Sequence, residues 1–152
     1  MSNAQGPVFR RAVVALNGGS SDGEIVRLVA DQARHHKAEV IAVHVVEIDW
    51  TLPLDADIAG RSEEVQRVLD VAESVAEDFK VTFEPVLLQA RDVGAAIVDE
   101  TIERDADLLV VGLPYRKRFG GEFAIGRTIP YVLQNAPCAV WVVREPIIEE
   151  PT

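Results

Sequence analysis

The stretch from Gly112 to Thr128, GLPYRKRFGGEFAIGRT, concentrates the residue types that could hold an anionic ligand. It gathers four cations (Arg116, Lys117, Arg118, Arg127) against one acid, Glu122, in a chain whose formal net charge is −10. Its four glycines let backbone approach a ligand closely. The segment then runs into a predicted helix whose first N–H groups and positive dipole end favour anions. The residues leave two readings open, a phosphate-binding loop and a solvated charged turn. The spacing is neither that of a P-loop, which needs Gly-Lys-Ser/Thr, nor a dinucleotide fingerprint, which follows the first strand.

Other reactive side chains lack partners in the sequence. Ser20 and Ser21 are expected to cap a helix, and no Gly-x-Ser-x-Gly elbow is present. His35 and His36 are expected at a helix end beside Lys37, and His44 within a strand as a core or site-edge residue. Cys138 stands alone and the histidines have no zinc spacing, so no metal site is expected. The acids Glu47, Asp49, Asp55 and Asp57 are read as a solvated connection.

These residues must be positioned by the elements around them. Arg11–Leu16 (RAVVAL) reads as a buried strand that ends at the turn formers Asn17 to Ser21. Ser21 and Glu24 have capping-box spacing, and Ile25, Leu28, Val29 and Ala33 then predict a helix to about His35. Glu39–Val46 is a second strand, apolar on both faces. After a long connection, Ser62 is expected to cap a helix that turns Val65, Val68, Leu69, Ala72, Val75, Ala76 and Phe79 inward. Val81–Leu88 is a third strand. Asp92 caps a helix to about Arg104 with Val93, Ala96, Ile97 and Ile102 inward, and Leu108–Val111 is a fourth strand. Thr128 is expected to cap the last helix, with Pro130 in its first turn, and Cys138–Val143 is the fifth strand. The strict alternation predicts an α/β fold: a single doubly wound, five-stranded parallel sheet with helices on both faces. Ligands bind such sheets beyond the strand C-termini where strand order reverses, which singles out the loops after Leu16, Val46 and Val111.

At 152 residues the chain is sized for one domain, expected over residues 8–144. Met1-Ser2-Asn3-Ala4 resembles a vector remnant, so residues 1–7 are expected to be a disordered start to an excised or trimmed domain. Residues 145–152 read as a flexible acidic tail. The acidic balance argues against a nucleic-acid partner. No apolar run approaches the ~20 residues of a bilayer span, and a cytoplasmic location is expected. CAVWVV would leave an apolar sheet edge unless two copies paired through strand 138–143, and Trp50, Leu52, Leu54 and Ile58 offer a second apolar contact.

Three segments together, VVALNGGS, AVHVVE and VVGLPY…GRTIPYVLQNAPCAVWVV, resemble the universal stress protein (UspA) superfamily. The resemblance covers almost the whole chain after Val8. It implies an adenine-nucleotide-binding fold, dimerisation through the last strand, and a sensor or regulatory role with at most slow ATP hydrolysis. The implied ligand is ATP or AMP, with Mg if ATP. The implied site comprises Leu16, Asn17, Val45, Val111, Gly112, Pro114, Tyr115, Gly126, Arg127, Thr128 and Ile129. Asn17 stands where the family has an aspartate near ribose and adenine, and Val45 matches a residue whose backbone faces adenine.

The closing motif departs from the family form, Gly-x2-Gly-x9-Gly-Ser/Thr. Tyr115 replaces the second glycine, the next interval is one residue longer, and Arg127 takes the hydroxyl position ahead of Thr128. One alternative is therefore a dimerisation module whose nucleotide site has closed. Another is a regulatory domain of a larger membrane transporter: Leu113-Pro114-Tyr115-Arg116, Phe119-Gly120 and Pro130-Tyr131-Val132-Leu133 resemble stress-protein domains appended to amino-acid permeases.

Overall fold

A computed structural model describes residues 7–55, 62–114 and 125–146. The elements run β1 (Arg11–Leu16), α1 (Asp22–Ala33), β2 (Glu39–Glu47), α2 (Ser62–Phe79), β3 (Thr82–Ala90), α3 (Val93–Glu103), β4 (Leu108–Leu113), α4 (Thr128–Asn135) and β5 (Ala139–Arg144). All pairings are parallel and the order is β3-β2-β1-β4-β5, so the sheet is the five-stranded, doubly wound one expected.

The strand sequences explain the layering. Side chains alternate across the sheet, so Ala12, Val14, Val40, Ala42, Leu108 and Val110 face α1 and α2 while Val13, Ile41, Val43, Leu109 and Val111 face α3 and α4. Most of these side chains are sealed from solvent. Each buried Val, Leu or Ile stabilises by about 1.5–3 kcal/mol, against about 0–1 kcal/mol for a surface ion pair. The two apolar faces therefore dominate, and ion pairs such as Arg11–Glu39 fasten the strand starts.

Several local expectations are corrected. Ser21 is the N-cap of α1 without a side-chain cap bond, because its hydroxyl donates to Glu145. Arg127, rather than Thr128, is the N-cap of α4, and Thr128 is its first helical residue. Leu28 and Ile102, inward by periodicity, are 42% and 56% exposed. The buried stripe of α1 runs through Ile25, Val26, Val29, Ala30 and Ala33, which leaves Leu28 on its flank. In α3 the corresponding inner position is Thr101, whose hydroxyl donates to the Ile97 carbonyl at 2.7 Å. Asp92 caps α3 as expected, accepting from the Ala95 N–H. No helix among the described residues is long and apolar enough to cross a membrane.

Candidate functional site

The register aligns Leu16 with His44 and Ala15 with Val111, so the C-terminal ends of β1, β2 and β4 share one rim. The chain leaves β1 towards β2 on one side and β4 pairs on the other, which makes the gap between β1 and β4 the point where strand order reverses. Two cavities open on this rim and share the turn Asn17 to Ser20, the larger between the ends of β1 and β2 and α2, the smaller at the reversal. The larger, about 730 Å³, also takes Asp22, His44, Val45, Glu47, Glu64, Arg67 and Val68 into its walls. The smaller, about 550 Å³, is bounded by Gly112, Leu113, Pro114, Ile125, Gly126 and Glu145.

The shared turn is ordered by its own side chains. Asp22 is 5% exposed and accepts from the N–H groups of Asn17 (3.2 Å) and Gly18 (2.8 Å), while the Asn17 Oδ1 accepts from the Gly19 N–H at 2.7 Å. Burial pushes the Asp22 carboxyl above its usual range; the two N–H bonds and nearby His44 oppose that shift. A bound anion therefore finds the Asn17 and Gly18 donors already taken by a carboxylate. His44 Nδ1 lies 3.1 Å from the Leu16 carbonyl. A carbonyl only accepts, so Nδ1 carries the proton.

The smaller cavity reaches Gly126, two residues before α4. Gly126 adopts φ +81, a left-handed conformation that glycine reaches without strain. Arg127 makes no side-chain cap bond, so among the described residues the first-turn donors Thr128 and Ile129 have no capping side chain. Pro130 has no N–H to satisfy. This end of the rim suits an anion better than the β1 turn does.

The expected site residues divide into groups. Asn17 borders both cavities, Val45 the larger, and Gly112, Pro114 and Gly126 the smaller. The side chains of Leu16, Val111 and Ile129 lie in the core beneath the rim. Arg127 is exposed and Thr128 half-buried. Tyr115 and the cations Arg116, Lys117 and Arg118 fall outside the described residues, as do Asp57, Ile58, residues 1–6 and residues 147–152. Among the described residues, no three His, Cys, Asp or Glu side chains gather as a metal site would require. Asp49, from the acidic connection, instead accepts from the Thr51 N–H and hydroxyl, each at 2.8 Å.

Three groups of participants are not evident from sequence. Asp22 reads as an ordinary first-turn acid; its spacing of four and five from Gly18 and Asn17 is the available signal. Glu64 and Arg67 lie on the polar side of an amphipathic helix, and only the tertiary fold carries them to the cavity. Glu145 reads as part of the tail, yet its N–H donates to the Leu113 carbonyl at 3.0 Å and its carboxylate accepts from Ser21.

Known proteins share this architecture. The model of the universal stress protein family matches residues 9–144. Universal stress protein MJ0531 of Methanocaldococcus jannaschii is 25% identical over 145 residues, covering 91% of this chain and 84% of that protein. Sensor protein KdpD of Mycobacterium tuberculosis is 29% identical over 136 residues, which is 90% of this chain but 14% of the sensor's length. The universal stress protein of Archaeoglobus fulgidus, solved in complex with dAMP, superposes with a TM-score of 0.69 at 22% identity, covering 90% of this chain and 98% of that one. The sheet order, the rim and the family match over 9–144 lead to one statement: this chain belongs to the universal stress protein family.

Proposed function

We propose that this chain is an adenine-nucleotide-binding regulatory domain with little or no catalytic activity. One observation carries the reading: the cavity at the β1–β4 reversal is bounded by Gly112 and Gly126, and Gly126 stands two residues before α4, whose N-cap Arg127 makes no side-chain cap bond. Its volume of about 550 Å³ falls in the range of small-molecule sites, roughly 300–1,000 Å³. The dAMP complex of the similar Archaeoglobus protein supports the choice of ligand class. The α4 donors and Arg127 would hold phosphate, while Asn17 and the β2 end at Val45 would meet the nucleoside. Where the ligand is ATP, Mg would accompany it. Nucleotide occupancy would then be the signal the domain passes on.

The test is to release small molecules from the purified protein and identify ATP, ADP or AMP, then to titrate each nucleotide calorimetrically. A co-purified nucleotide or a saturable isotherm is expected. The absence of both would end the reading.

A second reading is favoured by the match to a short segment of a sensor protein. In it the domain is one module of a longer signalling or transport chain. Reading the gene upstream of Gln5 decides it: a continuous frame rich in apolar segments supports the longer chain, and an initiator codon immediately before Gln5 rejects it.

We further propose that two copies pair through β5. The two sheet edges differ in how they are guarded. β3 carries Pro85, which lacks a ladder donor, and charged Glu84, whereas β5 reads AVWVVR with no charge or proline before its last residue.

A further inference from the structure

The turn between β1 and α1 spends its first three backbone donors on itself. Asp22 takes the N–H groups of Asn17 and Gly18, and the Gly19 N–H donates to Asn17 Oδ1 at 2.7 Å. An N–H only donates, so the Asn17 atom facing Gly19 is the amide oxygen, and the polarity of that amide is fixed. Among the described residues nothing else bonds to the side chain, which leaves the two protons of its Nδ2. Asn17 is exposed and stands in the wall of both cavities. A Cβ at Gly19 would lie 2.7 Å from the same Oδ1, so the bare backbone there is what lets the amide sit this way. Ser20, also in both walls, has a hydroxyl that rotates to donate or accept and so selects neither.

The inference rests on the nucleotide reading above. With the base at the β2 end and the phosphate towards α4, the sugar between them comes to the turn that both cavities share. We infer that Asn17 is the residue by which this site reads the sugar: its Nδ2 donates to a ribose hydroxyl oxygen. Gly19 and Asp22 are positioning residues, Gly19 by holding Oδ1 and Asp22 by holding the Asn17 backbone. The contact asks the sugar for an acceptor and makes no use of its hydroxyl proton. An ionised aspartate in the same place would ask the reverse, because a carboxylate only accepts. The site thus takes a ribonucleotide in preference to one whose sugar has lost its hydroxyls.

The experiment titrates AMP and its dideoxy counterpart, which lacks both sugar hydroxyls, into wild type, Asn17→Ala and Gly19→Ala. Affinity is read by calorimetry and the side-chain amide protons by NMR, with the Asn17 signal identified by its loss in Asn17→Ala. Wild type should bind AMP about fivefold tighter than the dideoxy compound, the worth of one neutral hydrogen bond. AMP should also move an Asn17 Nδ2 proton downfield, and the dideoxy compound should bind without that shift. Both variants should bring the two affinities to within about twofold. Asn17→Ala does so by removing the donor. Gly19→Ala does so by turning it away with every atom of Asn17 retained, since the nearest atoms to the new Cβ all belong to that flexible side chain. AMP binding that leaves the Asn17 signal unmoved, or a preference for AMP that survives Asn17→Ala, overturns the inference while leaving nucleotide binding intact. If wild type binds neither compound, the inference and the nucleotide reading fall together.

Discussion

Asp22 commits both carboxylate oxygens to the turn that the two cavities share, and burial raises its pKa above the ordinary aspartate range. The folded state therefore binds its proton more readily than the unfolded chain. The resulting penalty is present above the folded pKa and fades as pH falls through it towards the unfolded value. Asp22→Asn should destabilise, since its amide NH2 meets one of the two backbone donors. Wild type's advantage over that variant should grow on acidification, as urea midpoints at pH 7 and pH 5 would show; a shrinking advantage would mean that burial does not raise this pKa. Gly126 offers a separate test. Among the described residues nothing lies within 4 Å of a Cβ added there, so Gly126→Ala should cost about 1–2 kcal/mol through its φ of +81. Denaturant unfolding that matches wild type would show that this conformation is not required.

Among the elements, α3 and α4 meet at Gly94, where an added Cβ would lie 3.0 to 3.3 Å from three atoms of Tyr131. Alanine raises helix propensity by about 1 kcal/mol, but overpacking costs about 1–3 kcal/mol, and the Tyr131 Cβ is anchored to its helix backbone. Gly94→Ala should therefore lower stability by about 1 kcal/mol, read from its thermal midpoint. At the C-cap of α3, Arg104 bridges Glu84 and Glu100, each at 2.7 Å, and its hydrogen bond holds the Glu84 carboxyl below the usual range.

What is legible in the sequence depends on the kind of force involved. Strands β1, β2 and β4 are legible because each is a dense apolar run, and Asp92 is legible because its cap is local. Leu28 and Ile102 mislead because periodicity marks a helix face but not its edge. Ser21, Asp22 and Glu145 are opaque because their partners are fixed by tertiary fold or by competition among nearby donors. Glycine spacing places Gly112 and Gly126 near the rim, but nothing local reveals that Glu145 shares their cavity and meets Ser21.

At the scale of the whole molecule, the guarded β3 edge and the unguarded β5 edge direct the proposed pairing to β5. Val142 is exposed on β5, whereas Trp141 packs edge-on against Phe9 at 6.0 Å between ring centroids. Val142→Lys should convert a dimer to a monomer in sedimentation while leaving the unfolding midpoint of the isolated chain within about 0.5 kcal/mol, the usual range for surface changes. A dimer that survives the lysine would move the contact elsewhere. Trp50, 79% exposed with the Arg91 guanidinium 5.0 Å from its ring, is another apolar projection.

The strand order also has a consequence for birth at the ribosome. The first strand made is the middle one, so β2 and β3 with their helices can dock on one flank as soon as they emerge. The other flank of β1 waits for Leu108, about 90 residues later, which at about 5–20 residues per second is roughly 5–20 s of translation. During that interval the buried central strand stands half-paired, and a pause in decoding before β4 would lengthen its exposure to neighbouring nascent chains.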